Sequence, residues 1–210
     1  TSAAKAKSNP PTKLIMNQPA TPPLDAFMHM MKDIFARRWL TNFGQVHEQY
    51  CAQLAETLAH ASVLPVTNAT IGLLVALKVL GVRGEVITTP FSFPATYHVL
   101  FNLEEIHPVF VDIDRHSFGL SPEAVERAIT AKTSAILAVH AYGIPCAVDQ
   151  LADIAKRHGL KLIYDAAPAF GSTYAGRPVC HYGDLSVYST HATKVFNTAE
   201  GGILAGPHED

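Results

Sequence analysis

The sequence predicts an α/β fold in which a mostly parallel sheet carries helices on both faces. Short apolar runs alternate along the chain with segments of helical length, and this alternation is typical of parallel sheets. The runs are apolar along their whole length, as expected of strands that are buried on both faces. Hydrophobic residues make up 48% of the 210 residues, and mean hydropathy is +0.14. This composition indicates a large core and excludes a disordered chain.

The chain begins with a segment that we expect to be an extended arm, residues 1–23, rich in Pro, Lys, Ser and Thr and without periodicity. An amphipathic helix is predicted from Leu24, because apolar residues recur at helical spacing as far as Phe35. Its methionines are interpreted as core residues. A break at residues 41–44 precedes a second helical stretch that runs to Leu58.

The rest of the chain is predicted to alternate between strands and helices. The strands are the runs at 62–66, 85–89, 108–113, 134–139, 161–165 and 185–189. The helices lie at 70–80, 94–103, 121–130 and 148–158. The third of these helices begins with Ser121 as its N-cap and Pro122 at its first position.

Composition argues against several classes of protein. The formal net charge of -2 gives no basic surplus for nucleic acid. The three cysteines are far apart, and neither they nor the 11 histidines show the spacing of a disulfide framework or a metal site. No segment reaches the ~18 uninterrupted apolar residues of a membrane span. We therefore expect a cytoplasmic protein with no metal, nucleic-acid or membrane partner.

Three strand ends carry candidate chemistry, because ligands of parallel sheets bind at the carboxyl ends of the strands. The first strand is followed by T-N-A-T-I-G and a helix N-terminus, which is either a phosphate seat or a plain capped turn. Asp165 ends the fifth strand, where it either serves chemistry or caps the next turn. Lys194 follows the sixth strand, placed either for an imine or on a solvated face. Together, a phosphate anchor, a carboxylate and a lysine are what pyridoxal phosphate (PLP) requires.

Six motifs of the sequence resemble those of one protein family. They are V-T-N-A-T-I-G-L-L-V-A-L, E-V-I-T-T-P-F-S-F-P-A-T, P-V-F-V-D-I-D, V-H-A-Y-G-I-P, Y-D-A-A-P-A-F-G and S-T-H-A-T-K-V-F-N-T-A-E-G-G. On these strings the chain, from about residue 14 to its end, resembles the DegT-type sugar aminotransferases of PLP fold type I. The wording of W-L-T-N-F-G and H-A-T-K-V-F-N-T-x-E-G-G is most similar to the viosamine-forming branch, which aminates the 4-keto group of dTDP-4-keto-6-deoxyglucose.

The resemblance implies a cofactor, two substrates and an assembly. These are PLP, glutamate as amino donor, a nucleotide-linked keto-6-deoxy sugar as acceptor, and a homodimer. Lys194 is implied as the Schiff-base lysine and Asp165 as the partner of the pyridine nitrogen. The other implied cofactor contacts are Ala69, Thr70 and Ser189 at the phosphate and Phe93 stacked on the ring.

Two features depart from the family pattern. Members usually have Gln or His three residues after the aspartate, hydrogen-bonded to the phenolic oxygen of the cofactor, whereas Pro168 has no side-chain donor. Members also continue into a C-terminal small domain, so residues 24–210 are expected to be an incomplete PLP-binding large domain. The alternative is a non-catalytic fold-type-I remnant that binds PLP or a partner without transamination. An unrelated nucleotide-binding domain is disfavoured, because no G-x-G-x-x-G follows the first strand.

Overall fold

A computed structural model describes residues 18–41 and 43–207 of the chain. The helices of this part are α1 (Leu24–Arg37), α2 (Gln45–Thr57), α3 (Ala69–Val79), α4 (Ala95–Phe101), α5 (Pro122–Ala128) and α6 (Val148–His158). Its strands are β1 (Ser62–Val66), β2 (Gly84–Thr88), β3 (Ile106–Phe110), β4 (Thr133–Val139), β5 (Lys161–Asp165), β6 (Thr173–Tyr174), β7 (Arg177–Pro178), β8 (Leu185–Ser189) and β9 (Gly202–Gly206). Most of the predicted arm, residues 1–17, lies outside the described residues.

Seven of these strands form one sheet in the order β1-β9-β8-β5-β4-β2-β3, and β6 pairs with β7 separately. The strands from β8 to β3 are parallel to one another, whereas β9 is antiparallel to both of its neighbours. The prediction of an α/β fold with a mostly parallel sheet is confirmed. Because parallel strands end at the same edge, the segments that follow β2, β4, β5 and β8 meet there.

The predicted elements agree closely with the observed ones, with one shift. The Ser121 hydroxyl caps α5 by accepting a hydrogen bond from the amide of Ala124 at 3.2 Å, and Pro122 occupies the first helical position. The third strand was expected at 108–113 but lies earlier, because β3 pairs with β2 only until β2 ends at Thr88. Ile113 instead forms an isolated bridge with Leu120.

Apolar side chains cover both faces of the central strands. On one face α3 and α4 bury Leu73, Leu77 and Leu100 against the sheet. On the other face α5 and α6 contribute Val125 and Leu151. The prediction that every strand is buried on both faces is wrong for β1 and β3, because each lies at an edge of the sheet and is partly exposed.

Helix α1 begins at Leu24, as predicted, but the expected core role of its methionines is wrong. No residue of α1 is buried, and Met28 and Met30 are 45% and 49% exposed. The reason is that none of the described elements covers the apolar face of this helix. None of the described helices has both the length and the apolar character needed to cross a bilayer.

Candidate active site

A cleft of about 420 Å³ lies at the edge of the sheet where β2, β4 and β5 end. Its lining includes three residues that the sequence selected from separate segments: Asp165, Lys194 and Phe93. The other lining residues are mainly apolar and come from the end of β4 and from the turns that follow the same strands: Pro90, Phe91, Ser92, Val139, Ala141, Tyr142, Ala167 and Pro168. The topology therefore brings together a carboxylate, an amine and aromatic rings.

Asp165 is the last residue of β5, and its side chain is 5% exposed. One carboxylate oxygen, Oδ2, accepts a hydrogen bond from the Thr96 hydroxyl at 2.6 Å. The other, Oδ1, accepts one from the backbone amide of Ala167 at 3.0 Å. The carboxylate thus caps the turn after β5 and also lines the cleft, so the two interpretations left open by the sequence describe one arrangement.

Burial raises the pKa of Asp165 above its ordinary value. The Thr96 hydroxyl, the Ala167 amide and the charge of Lys194 oppose that rise in pKa because they favour the carboxylate. A cationic group that entered the cleft would act in the same direction. The site is therefore suited to a ligand with a protonated nitrogen beside Asp165.

Lys194 lies in a loop between β8 and β9 that is closed by backbone hydrogen bonds. The amide of Thr190 donates to Gly201, and the amide of Thr198 donates to Thr190, at 2.9 and 2.8 Å. The amide of Lys194 itself donates to the carbonyl of His191 at 2.9 Å. The loop fixes the backbone of the lysine, and the half-buried side chain reaches the cleft.

Two of the predicted phosphate contacts, Ala69 and Thr70, begin α3, and the third, Ser189, is the last residue of β8. Asn68 caps this helix by accepting a hydrogen bond from the amide of Ile71 at 2.9 Å. Ser189 at the end of β8 pairs with Gly202 of β9. A Cβ on Gly202 would lie 2.8 Å from the amide nitrogen of Ala69, so only glycine allows this approach. The first amides of a helix have no partner within it, and they form a seat for an anion.

These features fit the group that the resemblance implies. The helix N-terminus at Ala69 and Thr70 suits an anion, and Asp165 lies buried in the cleft, whereas Ala69, Thr70 and Ser189 are not among the residues that line the cleft. Phe93 lies at the cleft with its side chain 77% exposed, which leaves a ring face free for stacking. Pro168 also lines the cleft and offers no side-chain donor there.

Sequence reasoning missed His140, which follows β4 and is fully buried. Its amide donates to the carbonyl of Asp165 at 3.0 Å, and its ring stacks on Tyr164 with the centroids 4.5 Å apart. Nδ1 accepts a hydrogen bond from the amide of Cys146 at 3.2 Å, whereas Nε2 has no partner among the described residues. Burial lowers the pKa of His140 to about 4. The signal in the sequence was its place at a strand end, in V-H-A-Y-G.

Within the described residues, no group of three or more His, Cys, Asp or Glu side chains could hold a metal ion. The three cysteines are free thiols.

Comparison with known proteins finds relatives that are about twice as long as this chain. The dTDP-4-amino-4,6-dideoxy-D-glucose transaminases of Shigella dysenteriae and Escherichia coli are 46% and 42% identical to it, over 91% of the chain and 52% of each relative. The crystal structure of DesI with its TDP-sugar product has a TM-score of 0.88 at 36% identity, covering 93% of this chain and 50% of that one. The structure of NtdA from Bacillus subtilis with bound cofactor PMP has a TM-score of 0.80 at 28% identity, over 89% of this chain and 42% of that one.

The match to a family model is equally extensive. The model of the DegT/DnrJ/EryC1/StrS aminotransferase family matches residues 25–210. The relatives and this match confirm the family and the fold that the six sequence strings predicted. The chain spans about half the length of the curated relatives it matches. It belongs to the DegT/DnrJ/EryC1/StrS aminotransferase family.

Proposed function

We propose that the protein is a PLP-dependent aminotransferase that moves an amino group from glutamate to C4 of dTDP-4-keto-6-deoxyglucose. The observation that carries the proposal is the meeting in one cleft of Asp165 and Lys194, which are 29 residues apart in the chain. The 46% identity to a dTDP-4-amino-4,6-dideoxy-D-glucose transaminase supports the choice of acceptor. In this proposal, residues 24–210 form the cofactor-binding domain.

PLP, when bound, would supply a carbonyl carbon that accepts and releases the amino group and a ring that accepts electrons. Lys194 Nζ would tether that carbon and, when released, would move a proton to and from the reacting carbon of the substrate. The Asp165 carboxylate, whose two oxygens are held by Thr96 and Ala167, would keep a proton on the ring nitrogen. Ala69 and Thr70, at the N-terminus of α3, would hold the phosphate together with the Ser189 hydroxyl. Phe93 would stack on the ring.

The proposal includes a homodimer in the cytoplasm, without a nucleic-acid or membrane partner. Exposed apolar side chains on α1 support the dimer, since Leu24 is 71% and Phe35 63% exposed, and such faces commonly mark an interface. Free thiols at all three cysteines fit a reducing compartment. Light scattering at micromolar concentration tests the dimer, and a monodisperse monomer would contradict it.

The enzymatic proposal is tested in two steps on the full-length protein loaded with PLP. Borohydride reduction followed by peptide mass analysis should place the pyridoxyl label on Lys194, and Lys194→Arg should abolish the label. Lys161→Arg is the matched control, because Lys161 pairs with Asp184 at 3.2 Å and does not line the cleft. Incubation with glutamate and dTDP-4-keto-6-deoxyglucose should then yield the 4-amino sugar.

Each step has an outcome that counts against the proposal. A label on another lysine, or on none, would remove Lys194 from its role. A label on Lys194 without any amino sugar would favour the alternative of a protein that binds PLP without transamination.

A further inference from the structure

Three aromatic side chains, Phe91, Phe118 and Tyr142, form a cluster at the cleft, which we call the aromatic wall. The ring of Phe118 stacks on that of Phe91, with the ring centroids 6.1 Å apart. Tyr142 packs edge-on against both rings, with its centroid 5.9 Å from that of Phe118 and 6.3 Å from that of Phe91. Phe91 and Tyr142 line the cleft together with Lys194. Tyr142 is 75% exposed and Phe91 41%, so the wall offers free aromatic surface to whatever occupies the cleft.

The backbone of the wall is strained. Phe118 and Tyr142 have φ values of 57° and 55°, in the left-handed region that bulky side chains rarely adopt. Both residues precede a glycine, Gly119 and Gly143. Strained residues persist where the surrounding structure fixes them, and they are concentrated at sites that bind ligands.

Contacts on both sides of Tyr142 hold its turn in place. The amide of Gly143 donates to the carbonyl of His140 at 3.0 Å, and the Ser172 hydroxyl donates to the carbonyl of Gly143 at 2.7 Å. A Cβ on Gly143 would lie 2.9 Å from the carbonyl oxygen of Pro168. The turn is therefore anchored on the segment that follows Asp165.

The turn of Phe118 is tied to the same structure. A Cβ on Gly119 would overlap the Cβ of Cys146, so this turn packs directly on Cys146. The amide of Cys146 in turn donates to His140 Nδ1 at 3.2 Å. His140 thus links both turns to the carbonyl of Asp165, and the wall is held rigidly relative to the proposed reaction centre.

We infer that the aromatic wall binds the apolar face of the hexose ring of the acceptor, which makes Tyr142 a specificity determinant between the two substrates. The inference rests on the proposed function. The C–H face of a pyranose and the methyl group of a 6-deoxy sugar are apolar and pack on aromatic rings. Glutamate carries two carboxylates, and the negative face of an aromatic ring gives no favourable contact to an anion.

The test measures each half-reaction separately in the full-length protein loaded with PLP, from the change in the visible absorption of the cofactor. Tyr142→Ala should raise the nucleotide-sugar concentration needed for half-maximal rate by about tenfold more than it raises that for glutamate. Tyr142→Phe keeps the ring and should recover most of that loss. Phe101→Ala is the control, because Phe101 is 62% exposed on α4, pairs with Phe110 and does not line the cleft.

Several results would overturn the inference. Equal effects of Tyr142→Ala on the two half-reactions would do so, as would no effect on either. A change of oligomeric state in this variant would assign the wall to a contact between copies. If Tyr142→Ala does not fold, Phe91→Leu is measured in the same way, because leucine keeps an apolar side chain of similar size and removes the flat face of the aromatic ring. If the parent protein uses neither substrate, the proposed function fails and the inference fails with it.

Discussion

Acidification should destabilise the protein through His140, which is buried in its neutral form. Burial lowers the pKa of this residue from 6.5 to about 4, whereas the unfolded chain retains the ordinary value. Below pH 6.5 the unfolded state therefore binds a proton that the folded state does not, and stability falls as the pH falls toward 4. The loss worked from this difference is about 2 kcal/mol at pH 5 and about 3 kcal/mol at pH 4.

A comparison of variants isolates this effect from the other groups that titrate in the same range. His140→Gln removes the charge but keeps an acceptor for the amide of Cys146. Urea unfolding of the parent and the variant, each saturated with PLP at pH 7.5, 5 and 4, gives the free energy of unfolding at each pH. His107→Gln is the control, because His107 is exposed on the edge strand β3.

The expected result is a difference in how steeply the free energy of unfolding falls with pH. The parent and His107→Gln should lose about 2 kcal/mol more than His140→Gln between pH 7.5 and 5. The variant should start from a lower stability at pH 7.5, since stacking on Tyr164 is lost. If all three proteins show the same decline, the reasoning from the burial of His140 is refuted.

Three further predictions concern residues at and away from the site. Asp165→Asn should slow the half-reaction with glutamate by roughly 10² at unchanged thermal stability, because the amide cannot hold the ring proton; a stopped-flow rate within about threefold of the parent rejects the cofactor role. Gly202→Ala should weaken PLP binding by about tenfold in a titration, because its Cβ would lie 2.8 Å from the Ala69 amide nitrogen. Gly44→Ala is its control, since no atom lies nearer than 3.7 Å there, and equal affinities would contradict the argument. Hydrogen bonds from Arg157 and His158 lower the pKa of Glu126 to about 2, so the ionised carboxylate stabilises the folded state fully above about pH 4.5, and this stabilisation is lost as the pH falls toward 2. Glu126→Gln should therefore make the melting temperature less dependent on pH between about 4.5 and 2. An unchanged dependence in the variant would contradict this prediction.

The sequence alone was sufficient to predict the strands of the central sheet and the residues near their ends. Runs such as K-L-I-Y-D are apolar because β5 is buried between two neighbours, so their pattern reports their place in the sheet. Asp165 and Lys194 could be selected before the structure, because Asp165 ends a predicted strand and Lys194 lies in the segment that follows another. The roles of these residues toward PLP stay predictions.

Features that depend on distant pairing could not be predicted in the same way. The bounds of β3 depend on where β2 ends, and the exposure of α1 depends on what covers it, which the local pattern of either segment does not encode. The burial of His140 depends on Tyr164, which comes from β5, and on the fold of the turn that brings the amide of Cys146 to its ring. Likewise, nothing in the letters A-Y-G predicts a left-handed tyrosine, because tyrosine ordinarily avoids that region.

Several of the places where local rules fail lie close together at one edge of the sheet, whereas other left-handed residues, such as Arg38 and Phe43, lie elsewhere. A buried carboxylate lies at the end of β5, and a buried histidine and two left-handed aromatic residues lie in the turns that follow β3 and β4. Each of these features costs stability, whereas Ser121 at the start of α5 and the apolar helices α3 and α6 follow the ordinary preferences. A folded chain retains such costs where binding or chemistry requires them. The presence of these features around Asp165 therefore accords with the site that we propose in this cleft.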